Sequence, residues 1–307
     1  MTLLLLIVTL GLLAFSLTPR LPARPNLLID LPSHFVVQYS FGAVVLFALS
    51  LIWAAPAPAF LSVVCFALNL QELKPLLPRK MPPAPEGPKL KILQVNVLKT
   101  RQNTEQLRQM IAREKPDLFT CAEVNPAFSA LVASLENEYP HQLVTPGTDS
   151  YRVAVASKLP FLKVEHTAFG GARTEAVVFR IALDGKTVDA ISLHPFTPNK
   201  NIKSRDGEFA AIAARFAAEN PERLMLMGDF NATPWCPAMK RLVAALKLHN
   251  AREGRGINTT FPAVLPFLFR IPIDHVLVSA NLGVASFRAG PPMGSDHLPT
   301  LTEIYLK

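Results

Sequence analysis

RLMLMGDFNATPW, Arg223 to Trp235, is the stretch on which the fold turns. Leu224 to Met227 are apolar without alternation, the pattern of a short strand covered on both faces, and Gly228, Asp229, Asn231 and Pro234 end it in a polar loop. Such a strand needs neighbours in a sheet, and a polar loop leaving a rigid sheet is where chemistry tends to collect. Working outward, KLKILQVNV (89–97) reads as a strand, and Thr104–Glu114 reads as a helix with Leu107, Met110 and Ile111 on one face. DLFTCAEV (117–124) is the next strand, so this half opens β-α-β. Further strands are expected near 153–157, 175–183, 187–193, 273–279, 284–288 and 299–306, with helices near 202–218 and 237–247. The alternation predicts an α/β (α+β) domain over 89–307, sheets packed together and covered by helices.

The 307 residues are 50% hydrophobic and only 18% charged, with mean hydropathy +0.27, too apolar for an ordinary soluble enzyme. The excess lies at the N-terminus. Thr2–Pro19 carries no charge and, at ~1.5 Å per helical residue, just reaches across a hydrocarbon core. Phe35–Gln71 is also uncharged, with Pro56 and Pro58 interrupting it. A membrane domain is therefore expected over 1–73, with spans near 2–19, 35–54 and 57–73, then a proline-rich linker over 74–88. A signal peptide is the weaker account of the first segment, because no Lys or Arg precedes its apolar run and no small-residue cleavage site follows. With three spans, Arg20 and Arg24 lie on the same side as Lys74, Arg79 and Lys80, which places the C-terminal domain in the cytoplasm.

Three cysteines exclude a disulfide framework, and plentiful aliphatic residues with dispersed prolines exclude a disordered chain. The net charge of +8 suits an anionic partner, either nucleic acid or a phospholipid headgroup, or is simply solubilising. No RNA-binding aromatic signature or long basic arm is present. GxSxG, Walker and dinucleotide motifs are missing, which argues against serine hydrolase, P-loop and hydride-transfer chemistry.

Six pieces put polar groups at strand ends: Asn96 in LQVNV, Glu123 in CAEVN, His194 in ISLHPFTP, Asp229 and Asn231 in LMGDFNATPW, Asp274 in IPIDHVLV, and Asp296 with His297 in GSDHLPT. Each has a bland reading alone, as a strand end, a solvated margin, a loop histidine or a turn. Together they suit a hard divalent cation, for which Asn96, Glu123 and Asp296 offer oxygen ligands. Magnesium fits better than zinc, with manganese as the alternative ion: Cys65 sits in a span, while Cys121 and Cys236 are isolated and read as small buried hydrophobes.

The ordered series QVN, AEV, LHPFTP, GDFNATP, TTFP (259–262), IDHV and GSDH resembles the endonuclease/exonuclease/phosphatase superfamily, across essentially all of 89–307. Within it the chain looks like a member of a membrane-attached bacterial branch that includes lipid-pyrophosphate phosphatases. The resemblance implies a four-layer α/β/β/α sandwich of two mixed sheets, with the site at one edge. It implies a magnesium shell of Asn96, Glu123 and Asp296, with Glu123 the most dependable ligand. Asp229 would activate water, Asn231 would hold a phosphate oxygen, and His297, held by Asp274, would stabilise the phosphorane. His194 matches the histidine that DNase-like and sphingomyelinase-like members place near the leaving oxygen as general acid.

Two departures bear on substrate. VNVLKT follows the first motif where abasic-site endonucleases carry an aromatic residue or arginine, and His194 takes the later role, which disfavours DNA repair. Ala122 precedes Glu123 where many relatives have glutamine. The resulting expectation is a magnesium-dependent phosphoesterase on a bacterial inner membrane, acting on a phosphodiester, phosphomonoester or lipid pyrophosphate. Its rivals are a membrane-tethered nuclease and a catalytically silent membrane scaffold of the same fold.

Overall fold

Leu224–Asp229 is a fully buried strand in the interior of a sheet, as its composition requires. The structure, a computed structural model, describes residues 1–22, 25–146, 151–172 and 174–307. One sheet comprises β1 (Leu90–Asn96), β2 (Leu118–Ala122), β3 (His141–Val144), β4 (Val153–Ser157), β11 (Leu282–Ala289) and β12 (Thr300–Leu306), in the order β11-β12-β1-β2-β4-β3. The other comprises β5 (Phe161–Thr167), β6 (Ala176–Leu183), β7 (Lys186–Leu193), β8 (Leu224–Asp229), β9 (His249–Asn250) and β10 (Asp274–Val278), in the order β5-β6-β7-β8-β10-β9. Each sheet has one parallel pair, β1 with β2 and β7 with β8; the remaining pairs are antiparallel.

The parallel pairs are joined by helices α5 (Glu105–Glu114) and α7 (Pro198–Glu219), because a parallel connection needs a crossover. Leu90, Ile92, Leu118 and Val155 of the first sheet meet Val177, Phe179, Met225 and Val276 of the second in a shared core. The outer face of the first sheet is covered by Leu107, Met110 and Ile111 of α5 and by Phe128 of α6 (Pro126–Ser134). Phe209, Ile212 and Phe216 of α7 and Met239 and Leu242 of α8 (Pro237–Ala245) cover the second. Each such large apolar side chain contributes roughly 1.5–3 kcal/mol on full burial. The four-layer sandwich of mixed sheets is the fold expected from the sequence.

The N-terminal region contains α1 (Thr2–Leu17), α2 (Leu27–Ser33), α3 (Val36–Ile52) and α4 (Pro56–Leu73). Thr2–Arg20 and Pro56–Leu76 are each long and apolar enough to cross a membrane, and a third candidate is the pair α2 and α3, bent by 73°. Pro56 and Pro58 start α4 rather than interrupt a helix, in keeping with proline's fitness for the first turn. Hydroxyls of Thr9, Ser40, Ser50 and Ser62 donate back to carbonyls one turn earlier, and Asn69 Nδ2 donates to Ser16 Oγ of α1 at 2.8 Å. Internal pairing of this kind is what an apolar solvent demands.

Two features were not expected. The segment between the first two apolar runs, read as a loop, holds α2, capped by Asn26, whose Oδ1 accepts the Leu28 N–H at 2.9 Å; Arg24 lies outside the described residues. The first part of the linker lies along the loop at 254–256, with Arg79 N donating to Gly254 O and Gly254 N to Pro75 O, both at 2.9 Å.

Candidate active site

Both parallel pairs deliver their C-terminal ends to the same edge of the sandwich. Asn96 ends β1 and Glu123 follows β2; His194 follows β7 and Asp229 ends β8. Antiparallel β10 begins at that edge, and its first residue, Asp274, stands opposite Asp229 in register. Ser295, Asp296 and His297 lie just before β12 and are pinned to the end of β1 by Ser295 Oγ, which donates to Asn96 O at 2.6 Å.

All eight residues singled out in the sequence come together there. Asn96 Nδ2 donates to Glu123 Oε1 at 3.2 Å and Asp229 Oδ2 at 3.0 Å, while its Oδ1 accepts the Leu98 N–H. Glu123, whose backbone has φ +61°, also accepts the Lys99 N–H through Oε2 at 3.1 Å. His194 Nε2 is 3.5 Å from Asp229 Oδ2 and 3.9 Å from Glu123 Oε1. His297 bridges two carboxylates: Nδ1 donates to Asp274 Oδ2 at 2.9 Å, and Nε2 is 3.6 Å from Asp229 Oδ2. Asn231 donates its backbone N–H to Asp229 Oδ1 at 2.9 Å and its Nδ2 to Pro195 O at 2.9 Å. Glu123, Asp229, Asn231, Asp296 and His297 share the wall of one cleft of about 310 Å³.

The charges follow from this packing. Burial opposes a charge on His297, but Asp274 and Asp229 outweigh it and push the imidazole up to about 10, so the ring is an imidazolium at neutral pH. Burial likewise disfavours ionised Asp229, yet His297, His194 and the Asn231 N–H hold it below the usual carboxylate range. Asp296 moves the other way: burial raises it most, the charge of His297 opposes that, and the neighbouring charges of Glu123 and Asp229 add to the rise. Mutual repulsion of carboxylates in a cleft is what a hard cation would relieve, and oxygen donors are its preferred ligands, so this residue set fits a divalent ion. The trio Asp229, Asp274 and His297 also places ligand atoms within 4.8 Å of one another, but the imidazolium there already joins the two acids.

Several site residues escaped the sequence reading. Gln94 donates through Nε2 to Asp274 Oδ1 at 2.9 Å and accepts from Thr300 Oγ1 at 2.9 Å, fixing the acid that holds His297. Its signal was available, since Gln94 and Asn96 are two apart on a strand and share a face. The Tyr151 ring lies 5.8 Å from His194 and 4.5 Å from Phe196, and Phe261 lies 4.8 Å from the His297 ring. Leu31, His34 and Phe35, around the C-terminus of α2, line the cleft as well. Nothing in a linear pattern connects residues 31–35 with residues 229–297.

The endonuclease/exonuclease/phosphatase family model matches residues 93–297. No curated protein matches the chain. Among solved structures, D. rerio TDP2 complexed with a single-strand DNA product is similar at TM-score 0.58 and 15% identity, covering 71% of this chain and 99% of that one. The human Nocturnin catalytic domain with bound sulfate is similar at TM-score 0.58 and 18% identity, over 72% of this chain and 94% of its own. A Bacteroides thetaiotaomicron endonuclease/exonuclease/phosphatase family protein is similar at TM-score 0.56 and 16% identity, over 72% and 100%.

Proposed function

The chain belongs to the endonuclease/exonuclease/phosphatase family of phosphoester-hydrolysing enzymes, and from that premise we propose that it is a membrane-anchored, magnesium-dependent phosphoesterase acting on a lipid-linked phosphodiester, phosphomonoester or pyrophosphate. The observation that carries the hydrolytic reading is the convergence of Asp229, His297–Asp274, Asn231 and Glu123 on one cleft. Glu123 and Asp296 would hold the ion together with Asn96. Bound there, a divalent ion neutralises charge on the phosphoryl oxygens and lowers the pKa of water.

The remaining roles belong to the chain's own residues. Ionised Asp229 orients the attacking water and accepts its proton. The His297 imidazolium, fixed through Nδ1 by Asp274, presents Nε2 to the phosphoryl oxygen on which charge develops. Asn231 has a second amide hydrogen beyond the one given to Pro195 O, and donates it to another phosphate oxygen. His194, close to Asp229 on the neighbouring strand of the same parallel pair, protonates the leaving oxygen.

The lipid-linked substrate is favoured by the apolar surroundings of the cleft. Leu31 and Phe35 form part of its wall beside Phe261, Ile271 and Ile273. The adjoining loop exposes Val264, Leu265, Phe267 and Phe269, and Gln38 of α3 donates to Leu268 O and Arg270 O to hold that loop against the apolar helices. An exposed apolar patch continuous with membrane-type helices belongs at a bilayer surface. The test is hydrolysis by full-length protein in micelles, with and without magnesium, of a lipid pyrophosphate, bis-p-nitrophenyl phosphate and single-stranded DNA. Preferred turnover of the lipid is expected; preferred cleavage of DNA would install the nuclease reading, and activity undiminished by excess chelator would refute the metal. Three spans with the catalytic domain in the cytoplasm is the proposed topology, and protease digestion of residues 89–307 from outside spheroplasts would overturn it.

A further inference from the structure

We propose that Arg205 is a positioning residue for the catalytic loop, and that its counter-ion is supplied by Asp30, in the N-terminal segment outside the phosphoesterase sandwich. This rests on the reading of Asp229 and Asn231 as catalytic. Arg205, on α7, has no solvent exposure. A guanidinium taken wholly out of water must spend its five donors on partners, and here the partners are specific. Nη1 and Nη2 donate to the two oxygens of Asp30, at 3.1 and 2.5 Å, as a bidentate fork. Nε and Nη2 donate to Asp206 Oδ1 at 3.0 and 2.7 Å. Nη1 also donates to the backbone carbonyl of Asn231 at 3.1 Å.

That last bond gives the cluster its consequence. Asn231 has φ +49°, in the left-handed region, and its backbone N–H is the donor that orients Asp229 Oδ1 at 2.9 Å. Fixing the Asn231 carbonyl holds one flank of the residue whose other flank, the N–H, orients Asp229, and so restrains the Asn231 backbone on which both side chains depend. Helix α2 holds the same loop at a second point. His34 donates through Nε2 to Asp30 Oδ2 at 3.1 Å, and its Nδ1 accepts the Thr233 N–H at 3.2 Å.

Asp30, His34 and Cys236 also lie close enough together to suggest a metal site. The Arg205 fork occupies that space, and a fixed positive charge 2.5 Å from Asp30 Oδ1 is incompatible with a second cation on the same carboxylate. The cluster is an ion-paired strut running from α2 through Arg205 to the loop.

The test uses full-length protein in detergent micelles with magnesium and bis-p-nitrophenyl phosphate. Asp30→Asn removes the counter-charge, Arg205→Lys keeps the charge but loses the fork, and Lys240→Met is the control. Lys240 ties the N-terminal segment to α8 through Glu72 Oε2 at 2.6 Å and Pro19 O at 2.9 Å, partners other than residues 229–233. Asp30→Asn and Arg205→Lys are expected to lower kcat about ten- to a hundredfold with KM little changed, as misaimed catalytic groups do, while Lys240→Met retains wild-type kcat. Hydrogen exchange of amides 229–233 reads the strut without needing turnover, and protection there should fall in the two strut variants alone. Unchanged protection overturns the proposal, as does unchanged kcat in a folded strut variant; if Asp30→Asn fails to fold, Arg205→Lys decides by the same readings. Wild-type protein that hydrolyses no phosphate ester while the strut variants lose protection would overturn the phosphoesterase reading and leave the strut standing.

Discussion

Two buried charge assemblies grip the same loop and are built for different ends. At Asp229, His297 faces the cleft, with one nitrogen committed to Asp274 while the other lies 3.6 Å from Asp229 Oδ2. At Asn231, Arg205 spends its fork on Asp30 and Asp206 and its remaining reach on a backbone carbonyl. The first leaves a charged donor available to substrate, and the second leaves none. A buried ion pair is therefore not by itself a catalytic signature; what separates the two is whether a polar atom is left facing the cavity.

The contrast sets the order of expected effects. His297→Ala or Asp229→Asn should lower kcat on a cleavable phosphate ester a hundredfold or more, about 3 kcal/mol or above of transition-state stabilisation, with the thermal midpoint largely retained. Equal activity in either variant would remove the cleft pair from the mechanism. Gln94→Leu loosens Asp274 without touching substrate and should cost roughly 1–2 kcal/mol, about tenfold in kcat, with circular dichroism unchanged. A loss as large as that of His297→Ala would mean that Gln94 itself contacts the reacting groups.

The pH profile probes the same pair. Because the folded pKa of His297 is raised to about 10, its charged form persists from below the ordinary histidine value and is lost only as pH rises through about 10. Wild-type kcat should hold from neutral pH and descend toward pH 10, and Asp274→Asn should shift that descent toward lower pH. A descent that stays in place in Asp274→Asn would assign it to another group.

The smallest effect belongs to a pair at the surface. Glu114 receives Arg288 at 2.8 Å and Lys91 at 3.2 Å; burial works against its charge, but these partners bring its carboxyl down to about 2. Arg288→Ala should reduce stability by less than ~1 kcal/mol, because the arginine is half exposed and screened. A depressed carboxylate pKa stabilises above its unfolded value, so the difference from wild type should be present at neutral pH and fade as pH falls from about 4.5 toward 2, as urea midpoints would show.

How much was legible follows from where each element lies. Of the strands read from the sequence, β1, β2, β7, β8 and β10 are interior, where continuous burial writes a continuous apolar run, and β11, read near 284–288, is the one at an edge. The strands not read, β3, β5 and β9, all lie at sheet edges; β5, FLKVEHT, exposes Leu162, Lys163 and Val164 on both faces, so no period survives. The eight residues were legible because each sits in a short polar piece that ends or begins an interior strand or precedes β12. Arg205, Asp30 and His34 were not, being a charged residue on a helix and two members of a stretch read as loop.

Composition and order alone carried the interior strands, the apolar N-terminal helices and the polar residues that meet at one edge of the sheets, because burial on two faces, absence of charge and polar groups at strand ends are properties of residues in local runs. Which groups would be paired, and which left facing the cleft, came from folding: residues 30 and 205, or 94 and 274, meet only after crossovers stack two sheets and turn α2 by 73° against α3. Charge in a protein interior is governed by its neighbours in space, and those neighbours are distant in the chain.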